Sequence, residues 1–325
     1  MVRYKGRKKK DFKDYYAVAF YNLENLFDTF DDMHTADEDF LPESDRKWTL
    51  KRYHKKLRKL GYTIAQIGAK STGKSPIFVG LAEVENEQVV DDLLQSKFLR
   101  NLSYDYVHYD SPDERGIDTA FIYDTNFFKL DHSEIFSLEL FNDDGSRDHT
   151  RDILYVNGQL DEETIHILVN HWPSRREGQE ESDPKRLIAS NKLIEIIGSI
   201  VDDDANAKIL IMGDFNDDPQ CKSVKQLVHY HDLYNPMESL MSYHRGSLNH
   251  KFKWNLFDQI LFSTNFFEYS PGKFSFSRAD IFDRQFLKQF KGKYKGNPFR
   301  TYVGKKYKGG YSDHFPVYLL LKKSS

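Results

Sequence analysis

The chain contains one cysteine, Cys221, among its 325 residues. A single thiol excludes an intrachain disulfide framework and structural zinc–thiolate sites. No apolar run approaches the roughly 18 residues needed to span a bilayer, so stable membrane insertion is not expected. Met1 to Lys10 is basic and lacks the apolar centre of a secretory leader. The expected location is therefore cytoplasmic for the chain as written, and secreted if a leader has been removed. No stretch rich in proline, glycine or serine divides the chain. One domain is expected over 15–325, preceded by a basic arm at 1–14. Net charge is also nearly absent, with 47 Lys and Arg against 50 Asp and Glu. That balance does not announce a nucleic-acid binder, although local patches still can. What is present is material for a sizeable core: 39% hydrophobic and 15% aromatic residues.

The most informative stretch is Ile209-Leu210-Ile211-Met212-Gly213-Asp214-Phe215-Asn216. Its four apolar residues read as a buried strand. Gly213 reads as a tight turn. Asp214 and Asn216, two apart on an extended backbone, are expected to point the same way. A carboxylate there can hold a cation or orient water, and an amide can donate to an oxyanion. The competing reading is a strand followed by an Asx-turn. It loses ground because similar strand ends recur.

Tyr15 to Tyr21 predicts a strand ending in Asn22-Leu23-Glu24-Asn25. Arg46 to Ala69 predicts a helix with Trp48, Tyr53, Leu57, Leu60, Ile64 and Ile67 on one face and a solvated basic face opposite. Pro76 to Ala82 predicts a buried strand that delivers Glu83, and Gln88 to Leu99 another helix. Two strands, 104–109 and 117–123, are joined by a loop carrying Arg115, where a guanidinium could clamp phosphate. Further strands are expected over 131–157, a region with His149 and Arg151. Thr164 to Val169 ends in Asn170-His171-Trp172-Pro173-Ser174-Arg175. Asp183-Pro184 predicts the start of a helix to Val201, and 217–250 reads as irregular. Trp254 to Ser263 predicts a strand with Asp258 inside an apolar run, costly unless paired. Arg284 to Lys308 holds nine Lys and Arg, six aromatics and no acid. Such a stretch suits phosphates and stacked bases, or else it is a solvated loop. Tyr311 to Pro316, with Asp313 and His314, feeds a last strand at 317–321. Intermingled strands and helices indicate a mixed α/β domain.

Asn22/Glu24, Glu83, His171, Asp214/Asn216, Asp258 and Asp313/His314 thus all fall at strand ends. An imidazole needs a carboxylate to fix its tautomer and support its charge, and Asp258 can serve His314. Glu24, Glu83 and Asp313 are oxygen ligands suited to Mg2+ or Mn2+ rather than zinc. Together these groups fit metal-assisted hydrolysis of a phosphate ester.

The motifs Phe20-Tyr21-Asn22-Leu23-Glu24-Asn25, Leu81-Ala82-Glu83-Val84, Arg115-Gly116-Ile117-Asp118, Asn170-His171-Trp172-Pro173, Gly213-Asp214-Phe215-Asn216, Phe257-Asp258-Gln259-Ile260 and Ser312-Asp313-His314-Phe315-Pro316 resemble, in order, those of the endonuclease/exonuclease/phosphatase superfamily, the deoxyribonuclease-I-like fold. The resemblance spans about residue 15 to the carboxyl terminus. It implies an α/β (α+β) architecture, a four-layer α/β/β/α sandwich with two central mixed β-sheets. It implies Glu83 as principal metal ligand, with Asp313, Asn22 and Glu24 at the same end. Asp214 would orient or deprotonate the attacking water, and Asn216 would position water and phosphate. His314, held by Asp258, would bind the phosphoryl oxygen, and His171 would contact phosphate near the leaving group. Arg115, Arg151 and Arg175 are candidate phosphate clamps. Ala82 stands where the family often has Gln, and Tyr21 where many members have Trp or Phe. The surroundings of Asp258 do not match the inositol-polyphosphate phosphatase pattern, and His171-Trp172 speaks against the abasic-site repair branch.

The expected activity is a monomeric Mg2+-dependent phosphodiesterase, Mn2+ being an alternative ion. The expected substrate is DNA, cleaved by attack of water on phosphate. A phosphatase or phosphodiesterase on a small or lipid-linked ester is the alternative. For a lipid, residues 264–276, with Phe266, Phe267, Tyr269, Phe274 and Phe276, could form an exposed apolar hairpin instead of packing in the core. A catalytically silent binding module on the same fold is the third reading.

Overall fold

A computed structural model describes residues 14–33, 35–142, 144–175 and 178–324. Apart from Asp14, the basic arm expected at 1–14 lies outside them. Among the described residues, twelve strands form two sheets: β1 (Tyr15–Leu26), β2 (Phe78–Val84), β3 (Tyr104–His108), β4 (Asp118–Asp124), β5 (Phe128–Phe136), β6 (Ile153–Leu160), β7 (Glu163–His171), β8 (Lys208–Asp214), β9 (Leu233–Tyr234), β10 (Asp258–Ser263), β11 (Phe274–Ile281) and β12 (Val317–Lys323). The helices are α1 (Leu50–Gln66), α2 (Ala69–Thr72), α3 (Glu87–Leu94), α4 (Gln179–Asp203) and α5 (Lys222–Tyr230).

The first sheet runs β11-β12-β1-β2-β4-β3 and the second β9-β10-β8-β7-β6-β5. Each contains one parallel pair, β1 with β2 and β7 with β8, and is otherwise antiparallel. A parallel pair needs a crossover, which α1 supplies in one sheet and α4 in the other. The two crossovers bring the carboxyl ends of four central strands to one end of the sandwich. Antiparallel β10 and β12 bring their amino ends to the same place, with Asp258 opposite Asp214 in the ladder.

The central strands are apolar without interruption because both faces are covered. In β8, Leu210 and Met212 enter the core between the sheets, whereas Ile209 and Ile211 pack with Leu193 and Ile197 of α4 and Leu227 of α5. Leu57 and Leu60 of α1 and Val89 and Val90 of α3 join the core of the first sheet. The result is the four-layer sandwich. Gly80 permits close approach of the sheets: a Cβ there would lie 2.6 Å from the Met212 sulfur.

Several local expectations change. Gly213 makes no turn; it lies inside β8 without a positive φ. A Cβ there would stand 2.4 Å from the Asn170 carbonyl oxygen, so its task is to let β8 lie against β7. Gly213→Ala is accordingly expected to lower stability by about 2 kcal/mol, the scale of overpacking, read as a shift of the urea midpoint. α4 begins at Gln179, not at Asp183-Pro184, and carries Pro184 inside it. In the second turn proline leaves the Glu180 carbonyl without its usual donor and crowds it, a local cost set against the packing of the rest of α4 on β8. The stretch 217–250 is not wholly irregular, since α5 places Val224 and Leu227 in the core. Asp258 opens β10 rather than sitting within a strand. In 264–276, Phe266 and Phe274 are buried and Phe276 packs on Phe262 at 4.7 Å, whereas Phe267 and Tyr269 stand exposed, so the segment is core in part and apolar surface in part.

Candidate active site

The site begins as an irregularity of the β1–β2 ladder. Between the pairs Asn22–Ala82 and Leu26–Val84, three residues of β1 face only Glu83 of β2. Glu24, Asn25 and Glu83 take φ values of +54°, +50° and +61°, and Asn216 at the end of β8 takes +49°. Such backbone costs about 1–3 kcal/mol per residue and persists only where the surroundings enforce it. Bulges re-aim side chains that regular alternation would send elsewhere. Glu83 is turned so that Oε2 accepts from Asn25 N at 2.7 Å, and Oε1 from Asn22 Nδ2 at 3.4 Å.

Asp214 joins the two sheets. Its Oδ2 accepts from Asn22 Nδ2 at 3.1 Å and lies 3.9 Å from both His171 Nε2 and His314 Nδ1. Its Oδ1 accepts from Asn216 N at 2.9 Å. The Asx-turn and the polar centre are therefore one structure, with one oxygen holding the turn and the other facing the site. Asp214 and Asn216 do not project side by side; Asn216 Nδ2 donates to the Trp172 carbonyl at 2.9 Å. Burial pushes the Asp214 carboxyl up to about 6, and Asp258 adds to the rise, against the pull of His314, the Asn216 N–H and Asn22.

His314 stands opposite. Its Nδ1 lies 2.7 Å from Asp258 Oδ2, and Asp258 is fully buried. Burial alone would push the imidazole down, but the carboxylates of Asp258 and Asp214 outweigh it and raise the group well above the usual range. At neutral pH the ring is charged, so Nε2 also carries a proton, and it lies 4.0 Å from Asp313 Oδ1. Ser312 ties this segment to β1 by donating to the Asn22 carbonyl at 2.7 Å.

Glu24 meets a different set of partners. Thr301 N donates to Oε2 at 2.5 Å, Arg300 Nε to Oε1 at 3.3 Å, and Lys56 Nζ is 3.9 Å away. Arg300 also donates to Asp313 Oδ2 at 2.6 Å, leaving Oδ1 4.0 Å from His314 Nε2. Burial and the nearby Asp313 raise the Glu24 carboxyl, partly offset by Lys56 and Arg300. Burial would also raise Asp313, but Arg300 and His314 hold it below its usual range.

The structure thus brings Asn22, Glu83, His171, Asp214, Asp258, Asp313 and His314 together, with Glu24 turned into a neighbouring clamp. The arginines lie around them. Arg115 donates to Asn25 Oδ1 at the bulge. Arg151 is buried, pairing with Asp113 at 2.9 Å and donating to the Trp172 carbonyl at 2.7 Å. Arg175 donates to the Asn216 carbonyl and to Asp217, both at 2.7 Å, over the face of Phe257. All three brace the loops that carry site residues. Sequence reasoning missed Lys56, Asn25, Arg300 and Thr301. Lys56 left a trace: it lies three residues after Tyr53 and four before Leu60, on the apolar stripe rather than the basic face, and is 2% exposed. Arg300 was hidden in the basic run.

The donor set around Glu83 fits a hard divalent cation. It offers the Glu83 carboxylate beside the Asn22 carboxamide at 3.4 Å, with Asp313 joined to the same end through Arg300 and Glu24, and the one thiol, Cys221, lies instead beside Arg175. Asp214, Asp258 and His314 also bring ligand atoms within 4.8 Å of one another. There, however, the 2.7 Å contact pairs a charged imidazole with the Asp258 carboxylate, a poor seat for a cation.

The sequence profile of the Endonuclease/Exonuclease/phosphatase family matches residues 17–323. Among solved structures, a mannosyl-6-phosphatase of Bacteroides thetaiotaomicron is similar at 16% identity and TM-score 0.57, covering 94% of this chain and 99% of that one. The catalytic domain of human Nocturnin with bound sulfate is similar at 14% identity and TM-score 0.57, with 95% of each chain covered. Truncated Caenorhabditis elegans TDP2 is similar at 14% identity and TM-score 0.56, with 95% and 97% covered. At these identities the likeness is one of fold. No curated protein matches.

Proposed function

The chain belongs to the endonuclease/exonuclease/phosphatase family, and from that premise we propose that it is a Mg2+-dependent phosphodiesterase cleaving nucleic acid. The observation that carries the reading is Asp214 Oδ2, a buried carboxylate oxygen set between Asn22 and the two histidines. Asp214 holds the attacking water and takes its proton. A group at about 6 is ionised at neutral pH and still basic enough to accept one. The water oxygen bonds to phosphorus as the bond to the leaving alcohol breaks, and solvent protonates the leaving oxygen. Charged His314 donates from Nε2 to the phosphoryl oxygen as negative charge builds there. His171 faces the same space and contacts the phosphate. Asn22 keeps Asp214 aimed, and Asn216 fixes the strand end. Glu83, with Asp313 beside it, would hold the cation, which when bound offsets the phosphate's charge. Glu24 is a positioning residue: with Arg300, Thr301 and Lys56 it locks the bulge.

A polyanionic substrate is supported by the surroundings. An open cleft of about 770 Å3 shares Phe299 and Tyr311 with the segment carrying Arg300 and Asp313. Among the described residues, Lys59, Lys70, Arg284 and Lys288 line it and no carboxylate does, although Lys288 is paired with Asp283 at 2.8 Å.

The test is cleavage of supercoiled plasmid, a single-stranded oligonucleotide and a small chromogenic diester, with Mg2+ and with EDTA. Nucleic-acid cleavage that EDTA abolishes and Mg2+ restores is expected. Hydrolysis of the small diester alone would overturn the nucleic-acid reading and keep the phosphodiesterase. Glu83→Gln is expected to raise the Mg2+ concentration for half-maximal rate about ten- to a hundredfold, read from metal titration of the same assay.

A further inference from the structure

The ribbon Leu248–His250/Lys253–Asn255 turns through Lys251 and Phe252. Their φ values are +48° and +68°. Two left-handed residues in succession mark the mirror-type hairpin turn that Asn-Gly fills without strain. A lysine followed by a bulky aromatic is a disfavoured occupant. The strained turn places Phe252 in the open, 55% exposed. Its ring lies parallel to Tyr294, itself 44% exposed, with centroids 5.4 Å apart and planes 5° from each other. Lys293 Nζ sits 4.8 Å from the Phe252 ring centroid. Neither ring belongs to a core cluster. Lys291 and Lys295 stand exposed in the same loop, and Lys253 on the ribbon.

The root of this ribbon is the catalytic segment. Leu248 bridges His314, and Phe315 N donates to the Ser247 carbonyl at 2.7 Å. Asn297 Nδ2 donates to Asn249 Oδ1 at 3.0 Å and fastens the Tyr294 loop to the ribbon. At roughly 3.3 Å per strand residue, the tip stands about 13 Å from His314. That is the reach of nucleotides flanking a phosphate held at His314.

We propose that the Phe252–Tyr294 stack, with Lys293, is a nucleobase platform that holds an unpaired base of the strand being cleaved. This deepens the nucleic-acid reading and rests on it. Stacking on an aromatic face is open to every base, and lysines beside it meet the backbone phosphates. The platform therefore selects for single-stranded character and not for sequence. It also gives the strained turn a reason, since an Asn-Gly turn would carry no ring.

The experiment is fluorescence anisotropy in EDTA with the full chain and three labelled strands: oligo-dT, oligo-U, and a deoxyribose-phosphate strand of equal length made wholly of abasic units. The wild type is expected to bind the abasic strand about tenfold more weakly than oligo-dT. Phe252→Ala and Tyr294→Ala are each expected to erase that difference. The double substitution Lys251→Asn, Phe252→Gly relaxes the turn, so it is expected to melt no lower than the wild type and still lose the base-dependent binding. That outcome separates the platform from a merely structural role. Equal binding of intact and abasic strands by the wild type, or unchanged binding by the variants, would overturn the platform. The dT and U arms distinguish DNA from RNA. Because no cleavage is needed, base-dependent binding without any nuclease activity would sink the catalytic reading alone.

Discussion

Asp214→Asn is expected to lower kcat by about a thousandfold, with KM and the melting temperature close to those of the wild type. The amide has the shape of the carboxylate and can still accept from Asn216 N through its oxygen, so the turn survives. What it cannot do is take a proton from water, and a positioned base contributes about 10²- to 10⁴-fold. Stability is expected to change little because two effects oppose: the neutral amide avoids the cost of a buried charge, but its NH2 stands where Oδ2 accepted from Asn22 Nδ2, so that hydrogen bond is lost. Plasmid nicking and the melting curve of the same preparation decide the matter. A rate within tenfold of the wild type would remove Asp214 from the role of base.

Asp258→Asn is expected to act through His314, lowering kcat about a hundredfold at neutral pH and moving the alkaline limb of the rate profile toward acid. Burial would favour a neutral ring, and it is the nearby carboxylates, Asp258 first, that keep His314 charged. His314 is raised in the folded state, so its charged form is available at low pH and is lost as pH rises through the raised value. Without the Asp258 charge that loss comes earlier. Stability follows the same sign: the contribution of His314 is full below the ordinary imidazole range and disappears as pH climbs through the folded-state value. On the acid side, activity is expected to rise as pH passes about 6, where Asp214 gives up its proton. An Asp258→Asn profile with the wild-type alkaline limb would show that Asp258 does not set the charge of His314.

The polar strand ends at Glu83, His171 and Asp214 were legible because the strands preceding them are apolar on both faces. Ile209 to Met212 can only be a covered strand, so Asp214 must stand at its mouth. The pairing of Asp258 with His314 was legible for a related reason, since a carboxylate beside Leu256, Phe257 and Ile260 requires a partner. The direction of side chains was not legible. Counting Asn22 and Glu24 as two apart on a regular strand sent both to one place, but a bulge is a mismatch between two strands and neither sequence alone contains it. Contacts distant in sequence were equally hidden, such as Glu24 with Arg300 and Thr301. For the start of α4, local punctuation misled: Pro184 reads as a first turn, and the helix begins before it, packed against β8.

The extra residues of β1 also bear on how this centre could be moved to another scaffold. A list of side chains would not suffice. Grafted onto two strands of matched length, Glu24 would alternate with its neighbours, and Glu83 would keep the ordinary strand backbone. The transferable unit is a difference in strand length, three residues against one, together with the left-handed conformations it forces on Glu24, Asn25 and Glu83. A chemist copying the site must first copy that mismatch, and only then the carboxylates.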